Sequence, residues 1–251
     1  MIRDSLGKLR ALTLDTIKKA FYHLGLDIQR AQNSLSEKNV LRQFFKSTSI
    51  DIICDVGANI GQYHDLVRKI GYAADIVSFE PLSQAHAELE RRAASDPKWT
   101  IAPRQALGSE DGEIFINVAG NSASSSILPM LERHRVAAPH SEYISKELVP
   151  LRRLDSIAGP YLSGKSLGLL KIDTQGYEKE VLVGIQGVLS HFNAIQVELS
   201  LVPLYGNQPP LADLCNQLEH FGFQLRYIIP GFRDPQTHEL LQFDGIFISS
   251  H

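Results

Sequence analysis

Short apolar runs and amphipathic segments alternate along the first half of this chain. The apolar runs at residues 50–55, 75–80 and 98–103 have the length of buried strands. Residues 61–70 and 83–95, which separate these runs, show the spacing of helices. Because strands joined by helical crossovers lie parallel in one sheet, the pattern predicts an α/β domain built on a parallel sheet.

The alternation changes after Gly108. Residues 113–118 alternate between polar and apolar like a strand, and a polar segment at 119–146 follows before the next apolar run. Connections of this length are uncommon inside compact domains and are often functional. We therefore predict that residues 119–146 form an insertion that closes over a substrate.

Regular alternation returns near residue 167. An apolar run at 167–173 precedes a predicted helix at 177–188 and a further strand at 194–199. The last two runs, at 222–229 and 242–249, are joined without a helix. Since parallel neighbours need a long crossover, these two strands should form an antiparallel pair.

Residues 1–48 precede the first strand. Apolar residues recur there at near-helical spacing, with lysine and arginine between them. The spacing predicts an N-terminal helical extension at 1–48, followed by one domain at 49–251. We expect the extension to cover that domain or to pair in a homodimer, because Asp4, Asp15 and Asp27 make its polar face a poor membrane-binding surface.

Two strand ends give the first indication of chemistry. The first apolar run ends at Asp55, a turn containing Gly57 and Gly61 opens the next helix, and the second apolar run ends at Glu80. This is the layout of an α/β nucleotide site, in which the second acid accepts hydrogen bonds from the ribose hydroxyls. We therefore predict a cofactor pocket at the carboxyl ends of these strands.

The turn between the two acids narrows the choice of cofactor. Its glycines follow the spacing Gly57-x-x-x-Gly61 with Asn59 between them, whereas pyrophosphate turns use Gly-x-Gly-x-x-Gly. A Walker loop would place lysine after the last glycine, where this chain has Gln62. An adenosine ligand with a small anionic tail, such as S-adenosylmethionine, fits better, and an NAD-dependent oxidoreductase is the alternative. Asp55 would then lie beside the methionine end and the sulfonium charge.

The composition favours an enzyme domain over a nucleic-acid or membrane protein. The 251 residues are 43% hydrophobic, enough for a full core, and the net charge of -3 argues against a polyanion-binding surface. The two cysteines, Cys54 and Cys215, are too few for a disulfide framework. The sequence has neither a leader-type apolar segment nor an apolar run of membrane-spanning length. We expect a cytoplasmic protein with no nucleic-acid partner and no membrane span.

Six short motifs make a family resemblance specific. In chain order they are Asp55-Val56-Gly57-Ala58-Asn59-Ile60-Gly61, Phe79-Glu80-Pro81, Ala106-Leu107-Gly108, Ser124-Ser125-Ser126-Ile127-Leu128, Leu170-Lys171-Ile172-Asp173-Thr174-Gln175-Gly176-Tyr177-Glu178 and Phe243-Asp244-Gly245-Ile246-Phe247-Ile248. Over residues 50–249 the chain resembles the FkbM family of S-adenosylmethionine-dependent methyltransferases. One departure is Gln175, where this family often has glutamate.

The resemblance implies a fold and an activity. The fold is the Rossmann-like class I methyltransferase fold, a seven-stranded, mostly parallel sheet whose last strand is antiparallel. The activity is O-methylation of a hydroxyl, on a sugar, a glycan or a glycosylated natural product. Together with the spacing of the acids and glycines, the resemblance implies a cofactor site. Its residues are Asp55, Gly57, Ala58, Asn59, Gly61, Glu80, Pro81, Ala106, Leu107 and Asp173.

The candidate catalytic groups follow the fourth and fifth strands of that sheet. An alcohol must lose its proton before it can attack the methyl group, and Asp173 is our preferred base or base-orienting group. Glu198 on the next strand is a second candidate, and His134 in the insertion is a reserve base. Asp173 and Glu198 would alternatively hold a divalent cation such as Mg²⁺.

The insertion and the loop after residue 200 supply the expected acceptor site for a small molecule or glycan. Polar side chains that would suit a sugar are Ser124, Ser125, Ser126, Arg133, His140 and Tyr205. A competing interpretation is a scaffold that binds S-adenosylmethionine without catalysis. The presence of Asp55, Glu80 and Asp173 together argues against that interpretation.

Overall fold

The computed structural model describes residues 16–26 and 34–250. It divides the chain into two compact units, Met1–Leu35 and Ser36–His251. In the first unit, residues 16–22 form a helix. The rest of the expected N-terminal helices, at 1–15 and 27–33, lies outside the described residues, and the homodimer stays a prediction.

The second unit is an α/β domain. Its strands are β1 (Ile52–Val56), β2 (Asp75–Phe79), β3 (Trp99–Ile101), β4 (Ala106–Leu107), β5 (Gly112–Ala119), β6 (Tyr143–Arg152), β7 (Gly168–Ile172), β8 (Phe192–Ser200), β9 (Phe223–Pro230) and β10 (Gln242–Ser249). Its helices are α1 (Glu37–Ser47), α2 (Gln62–Ile70), α3 (Ser83–Ala93), α4 (Glu132–Ala137), α5 (Leu154–Ile157), α6 (Gly159–Leu162), α7 (Glu178–Val183) and α8 (Leu211–His220). Short 3₁₀ turns lie at Pro139–Ser141 and Gln186–His191.

A seven-stranded sheet forms the centre of this unit, in the order β3-β2-β1-β7-β8-β10-β9. The pairs from β3 to β8 are parallel, and β10 is antiparallel to both β8 and β9. The predicted mostly parallel sheet with an antiparallel last strand is therefore confirmed. Its parallel strands all end at one edge, which places Asp55, Glu80 and Asp173 along the same rim.

Alternate residues of the central strands face two separate apolar layers. Ile52, Cys54 and Val56 of β1 join one buried cluster, while Ile53 joins the other. Since successive side chains of a strand point to opposite faces, both faces of the sheet are covered. This explains why the strands appear in the sequence as continuous apolar runs.

The segment 119–146 contains more regular structure than a polar loop. It includes helix α4, the turn Pro139–Ser141 and the first residues of β6. Strand β6 pairs antiparallel with β5 and parallel with β4 in a second, three-stranded sheet. Only the second half of β6 contributes buried side chains, Val149 and Leu151, whereas Ile144 and Leu148 are exposed. Because the first half is largely polar and exposed, the sequence pattern does not predict that it pairs as a strand.

Helix α1 packs on the central sheet. Val40, Leu41 and Phe44 are buried in the same cluster as Ile53, and the Phe44 ring lies 6.0 Å from the ring of Tyr227 on β9. The boundary between the two compact units falls between Leu35 and Ser36, whereas the sequence pattern predicted a boundary between residues 48 and 49. The helix belongs with the sheet because its apolar stripe is covered there, which periodicity alone does not reveal.

Replacing Phe44 by alanine should destabilise the whole second unit. The side chain is completely buried, and truncation of a buried phenylalanine costs about 3–5 kcal/mol. Urea unfolding followed by far-UV circular dichroism measures the loss. The matched control is Lys46→Ala on the exposed side of the same helix, which should change the free energy of unfolding by less than about 0.5 kcal/mol. Equal, small effects of both variants would show that α1 is not part of the cooperative core.

Candidate active site

The acid after β2 is fixed by backbone donors. Glu80 is buried; its Oε2 accepts from the Asn59 N–H at 2.7 Å and its Oε1 accepts from the Leu82 N–H at 2.8 Å. Burial raises the pKa of Glu80 to about 7, although the two backbone hydrogen bonds oppose that shift. Each oxygen of the Glu80 carboxylate has a lone pair left, so Glu80 can accept two more hydrogen bonds, one from each hydroxyl of a vicinal diol.

The turn after β1 requires glycine at its first position. Gly57 has φ 79°, and a Cβ added there would lie 1.9 Å from the carbonyl oxygen of Asp173. Gly61, at φ 89°, precedes α2, and a Cβ added there would lie 2.6 Å from the Trp99 ring. Asn59 also adopts a left-handed conformation, with φ 47°. The turn is therefore wound tightly against the end of β7.

One cavity lies between this turn and the second sheet. The expected cofactor residues that line it are Gly57, Asn59, Glu80, Pro81, Ala106, Leu107 and Asp173. Its apolar wall includes Phe79, Ile116 and Ile127. A buried acid at one side of an apolar slot suits an adenosine, with the ring between apolar side chains and the ribose on the acid. Gly61 lines neither this cavity nor the one described next.

A second cavity adjoins the first. Asp55, Ala58, Gln62, Tyr63 and Lys171 line it, and Gly57, Asn59, Ala123 and Asp173 are common to both cavities. Glu37, the first residue of α1, stands at its rim with an exposed side chain. The two cavities lie side by side around the glycine turn, which matches a ligand with an aromatic end and a charged end.

Asp55 is a buried acid without a hydrogen-bond partner. Its side chain is completely buried, and neither carboxylate oxygen has a hydrogen-bond partner. The nearest cation is the Lys171 ammonium, whose Nζ lies 3.7 Å from Oδ1. Burial raises the pKa of Asp55 to about 6, and Asp173 adds to the shift while Lys171 opposes it. An unsatisfied buried acid facing a cavity is expected to accept hydrogen bonds from a ligand.

Lys171 is a buried cation among these acids. Its Nζ donates to Asp173 Oδ2 at 3.2 Å and lies 5.4 Å from the centre of the Tyr63 ring. Burial alone would lower the pKa of Lys171, but Asp173, Asp55 and Asp244 outweigh burial and raise it. The lysine therefore stays protonated and offers one positive charge to the second cavity.

The two predicted catalytic carboxylates meet through an amide. Gln175 Nε2 donates to Asp173 Oδ1 at 2.7 Å and to Glu198 Oε2 at 2.8 Å. Gln242 Nε2 donates to the same Glu198 oxygen at 2.7 Å. Burial raises the pKa of Glu198 well above its ordinary range, and the nearby charges of Asp173 and Asp244 add to the shift. The structure thus brings Asp173 and Glu198 together as the sequence predicted.

The same contacts do not fit a divalent cation. The amide N–H of Gln175 lies between the two carboxylates, and a donor at that point presents positive charge where a cation would have to sit. Within residues 16–26 and 34–250, no three His, Cys, Asp or Glu side chains form a group that could hold a metal. We assign no step to Mg²⁺.

The serines of the insertion lie at the cofactor side of the site. Ser125 and Ser126 line the first cavity; Ser125 Oγ accepts from the Ala119 N–H at 2.9 Å, and Ser126 Oγ donates to the Gln175 carbonyl at 2.6 Å. Ser124 is buried, and its Oγ accepts from Asn121. These contacts hold the loop in place. The Ser126 hydroxyl already donates to Gln175, whereas the Ser124 and Ser125 hydroxyls accept and keep a donor available.

Ser122 ties the insertion to the glycine turn. Its Oγ donates to Asn59 Oδ1 at 3.2 Å, and Ser122 and Ala123 both line the first cavity. Residues 122–127 therefore form one wall of the proposed adenosine slot. No local signal in the sequence distinguishes this position from a wall of the acceptor site.

Other predicted site residues lie away from both cavities. His134 is buried beside the rings of Tyr205 and Phe232, and burial lowers its pKa to about 4. Arg133 forms an exposed ion pair with Glu239 at 2.8 Å, and His140 is exposed. None of the three lines either cavity.

Tyr205 is placed behind the site. Its side chain is completely buried, and its hydroxyl donates to Gln175 Oε1 at 2.7 Å. The sequence pattern gives no signal for the link from Tyr205 to Gln175, or for Glu37 and Gln242 as neighbours of the site. Lys171 could have been found, because a lysine inside an otherwise apolar strand must pair with buried acids.

Replacing Asp55 by asparagine should stabilise the free protein at neutral pH. The folded pKa is raised to about 6 from the ordinary 3.8, so the folded state binds the proton more tightly, and stability falls as pH rises through that window. Removing the charge should raise the free energy of unfolding by roughly 1–3 kcal/mol at pH 7.5. Near pH 4 the gain should largely vanish.

Urea unfolding at both pH values measures this difference, with the exposed Asp213→Asn as the matched substitution. Asp213→Asn reports the effect of the substitution itself at an exposed position. If Asp55→Asn destabilises the protein equally at both pH values, Asp55 is a structural partner and not a ligand-facing acid.

None of the helices in residues 16–26 and 34–250 is long and apolar enough to cross a bilayer.

The family model for the Methyltransferase FkbM domain matches residues 55–225. This range contains both acids of the turn, the insertion and the Asp173–Glu198 pair. Most of the second unit is therefore covered by one family.

Two proteins of known name resemble the chain in sequence. The hexuronic acid methyltransferase AglP of Haloferax volcanii is 26% identical over 69% of this chain and 66% of its own length. Methyltransferase 1 of Beauveria bassiana is 23% identical over 73% of this chain and 76% of its own length. The chain thus spans just under two thirds of the first of these relatives.

A solved structure gives the corresponding result for the fold. The crystal structure of methyltransferase FkbM from Methylobacillus flagellatus KT superposes with a TM-score of 0.50 at 14% identity, covering 79% of this chain and 44% of that one. The expected class I methyltransferase fold is confirmed. With the family match over residues 55–225, the chain belongs to the FkbM methyltransferase family.

Proposed function

We propose that this chain is an S-adenosylmethionine-dependent O-methyltransferase that acts on a hydroxyl of a sugar or glycan. The observation that carries the proposal is the pairing of two buried acids around one glycine turn. Glu80 presents carboxylate oxygens with spare capacity on one side, and Asp55 presents a carboxylate without hydrogen bonds on the other. An adenosine with a cationic amino-acid tail would satisfy both.

Each end of the cofactor has a complementary set of residues. The Glu80 carboxylate would accept from both ribose hydroxyls, and the slot lined by Leu107 and Ile127 would hold the adenine. At the other end, Asp55 would accept from the α-ammonium group, and the protonated Lys171 would pair with the α-carboxylate. Asp55 would then regain the hydrogen bonds that it lacks in the free protein.

The reaction needs alignment and the removal of one proton. S-adenosylmethionine supplies an electrophilic methyl group on its sulfonium sulfur. Asp173 lines both cavities, and in this proposal its carboxylate would accept the proton of an acceptor hydroxyl. Most of the remaining acceleration would come from holding the hydroxyl oxygen in line with the methyl carbon and sulfur.

The charges around Asp173 favour a neutral acceptor. Burial and the charges of Asp173 and Asp244 raise the pKa of Glu198. Lys171 forms ion pairs with both Asp55 and Asp173. A carboxylate acceptor would be repelled by these acids, whereas a hydroxyl would not be. The relative from Haloferax volcanii carries the name of a hexuronic acid methyltransferase. This name supports a sugar as the acceptor class, but it does not support a neutral acceptor, because a hexuronic acid carries a carboxylate.

Replacing Glu80 by alanine should weaken S-adenosylmethionine binding by about 10- to 150-fold, the equivalent of 1.5–3 kcal/mol for hydrogen bonds to a charged group. Isothermal titration calorimetry measures the change. Glu113→Ala, an exposed acid on β5, is the control and should bind as the unmodified protein does. Unchanged affinity in a folded Glu80→Ala protein would remove Glu80 from the cofactor site, and tighter binding of NAD would favour an oxidoreductase.

Replacing Asp173 by asparagine should lower turnover by about a hundredfold or more while cofactor affinity stays within about threefold. The assay follows S-adenosylhomocysteine release with a panel of neutral sugars and their uronic acids. The product should be a methyl ether that survives mild alkali. Near-normal turnover would reduce Asp173 to a structural role, and an alkali-labile methyl ester would contradict the proposed hydroxyl acceptor.

A further inference from the structure

Gln175 occupies an unusual position in the carboxylate pair. Its side-chain nitrogen is the only group that the structure shows donating to both Asp173 and Glu198 within the described residues. Two carboxylates that share a donor at 2.7 and 2.8 Å lie close enough to repel each other strongly, and without the donor such a pair tends to share one proton. The amide therefore replaces the proton that would otherwise bridge the two acids.

The orientation of that amide is set by a hydroxyl on the far side. Tyr205 Oη lies 2.7 Å from Gln175 Oε1 and 3.4 Å from the Ser124 carbonyl oxygen. Both neighbours are acceptors, so the tyrosine hydroxyl has to donate. With Oε1 held by Tyr205, the NH₂ group must face the two acids. The reverse orientation would place an amide oxygen against two carboxylates.

The backbone of Gln175 is held in a conformation that serves this contact. Its φ is 55°, in the left-handed region that residues other than glycine rarely adopt. Ser126 Oγ donates to the Gln175 carbonyl at 2.6 Å and so fixes the peptide from the insertion side. A strained residue that is anchored at its carbonyl, its amide oxygen and its amide nitrogen is over-determined, as expected of a functional position.

Tyr205 is itself anchored to the acid on β8. Gln208 Oε1 accepts from the backbone N–H of Tyr205 at 3.3 Å, and Gln208 Nε2 donates to Ser200 Oγ at 2.6 Å. Ser200 in turn lies 3.3 Å from Gln242 Nε2, which also donates to Glu198. The loop that carries Tyr205 and the strand that carries Glu198 are thus connected by a continuous set of hydrogen bonds.

We propose that Gln175, oriented by the Tyr205 hydroxyl, is a positioning residue that holds the Asp173 carboxylate and the Glu198 carboxyl group side by side without a proton shared between them. The proposal rests on the proposed methyltransferase function, in which Asp173 accepts a proton. With the amide in place, Asp173 is free to take that proton from the acceptor. Without it, the proton that burial favours on Glu198 would bridge to Asp173, and the base would be blocked at neutral pH.

Several charged or titratable groups face the pair. They are Lys171 on β7, Asp244 on β10 and Glu178 on α7. Tyr143 on β6 is a neighbour of Tyr205 and not of the pair. Lys171 is the only cation among these groups. It donates to Asp173 Oδ2, whereas Gln175 donates to Asp173 Oδ1. Gln175 and Lys171 therefore bind opposite oxygens of Asp173 and fix the carboxylate plane.

The test compares three single substitutions that leave most of the local volume in place. Gln175→Glu exchanges the donor for a third acid, and Tyr205→Phe removes only the hydroxyl that orients it. Tyr143→Phe is the matched control, because Tyr143 is a neighbouring half-buried tyrosine whose hydroxyl donates to the Leu128 carbonyl at 2.8 Å and not to Gln175. Thermal melting and S-adenosylmethionine binding establish that each variant is folded.

The pH dependence of kcat is the first readout. Gln175→Glu should move the acidic limb of the profile upward by about one pH unit or more, with activity regained at alkaline pH. Tyr205→Phe should move the limb in the same direction and lower kcat near neutral pH by about 3- to 30-fold, with KM for the cofactor nearly unchanged. Tyr143→Phe should leave the limb where it is in the unmodified protein.

A second readout does not depend on activity. Carboxyl-carbon NMR titration of protein labelled at Asp and Glu, assigned with Asp173→Asn and Glu198→Gln, should show the pair gaining its first proton at higher pH in Gln175→Glu and in Tyr205→Phe. Unshifted titration in both variants would overturn the inference, as would equal shifts in Tyr205→Phe and Tyr143→Phe. Absence of methyl transfer by the unmodified protein would instead reject the proposed function, and the titration would still decide the role of Gln175.

Discussion

The close approach of the β1 turn to the end of β7 is the constraint on which this site depends. The Asp173 N–H donates to the Val56 carbonyl at 3.0 Å, and at Gly57 there is no room for any side chain because a Cβ would lie 1.9 Å from the Asp173 carbonyl oxygen. This contact holds Asp173, at the end of β7, against the turn that follows Asp55. Both cavities share that turn, so the cofactor slot and the reacting carboxylate are positioned by the same few backbone atoms.

Buried charge is the second organising feature. Lys171 is surrounded by Asp55 and Asp173 at 3.7 and 3.2 Å, and burial raises the pKa values of Asp55, Glu80 and Glu198. Leaving the Asp55 carboxylate without a hydrogen bond costs stability in the free protein. Such a cost is typical of sites that are complete only with their ligand, because the groups that satisfy the acid belong to that ligand.

The sequence was sufficient for the fold and for the rim of the site. Apolar runs of strand length, separated by helical spacing, determine a parallel sheet, and the parallel strands must all end at one edge. Asp55, Glu80 and Asp173 could therefore be placed together from their positions at strand ends. The terminal antiparallel pair followed from a connection too short for a crossover. These inferences need only local periodicity and chain connectivity.

The tertiary structure alone decided which side chains complete the site. Gln175 follows β7 and contacts Glu198 on the neighbouring strand β8, and Tyr205 donates to Gln175 from a different loop. Glu37 lies on a helix that periodicity assigned to a separate extension. His134 and Arg133 have suitable chemistry but lie outside both cavities. Strand ends are fixed by the sheet, so the sequence itself determines their residues' location. Loop residues are placed by contacts distant in sequence, and a linear pattern carries no record of those contacts.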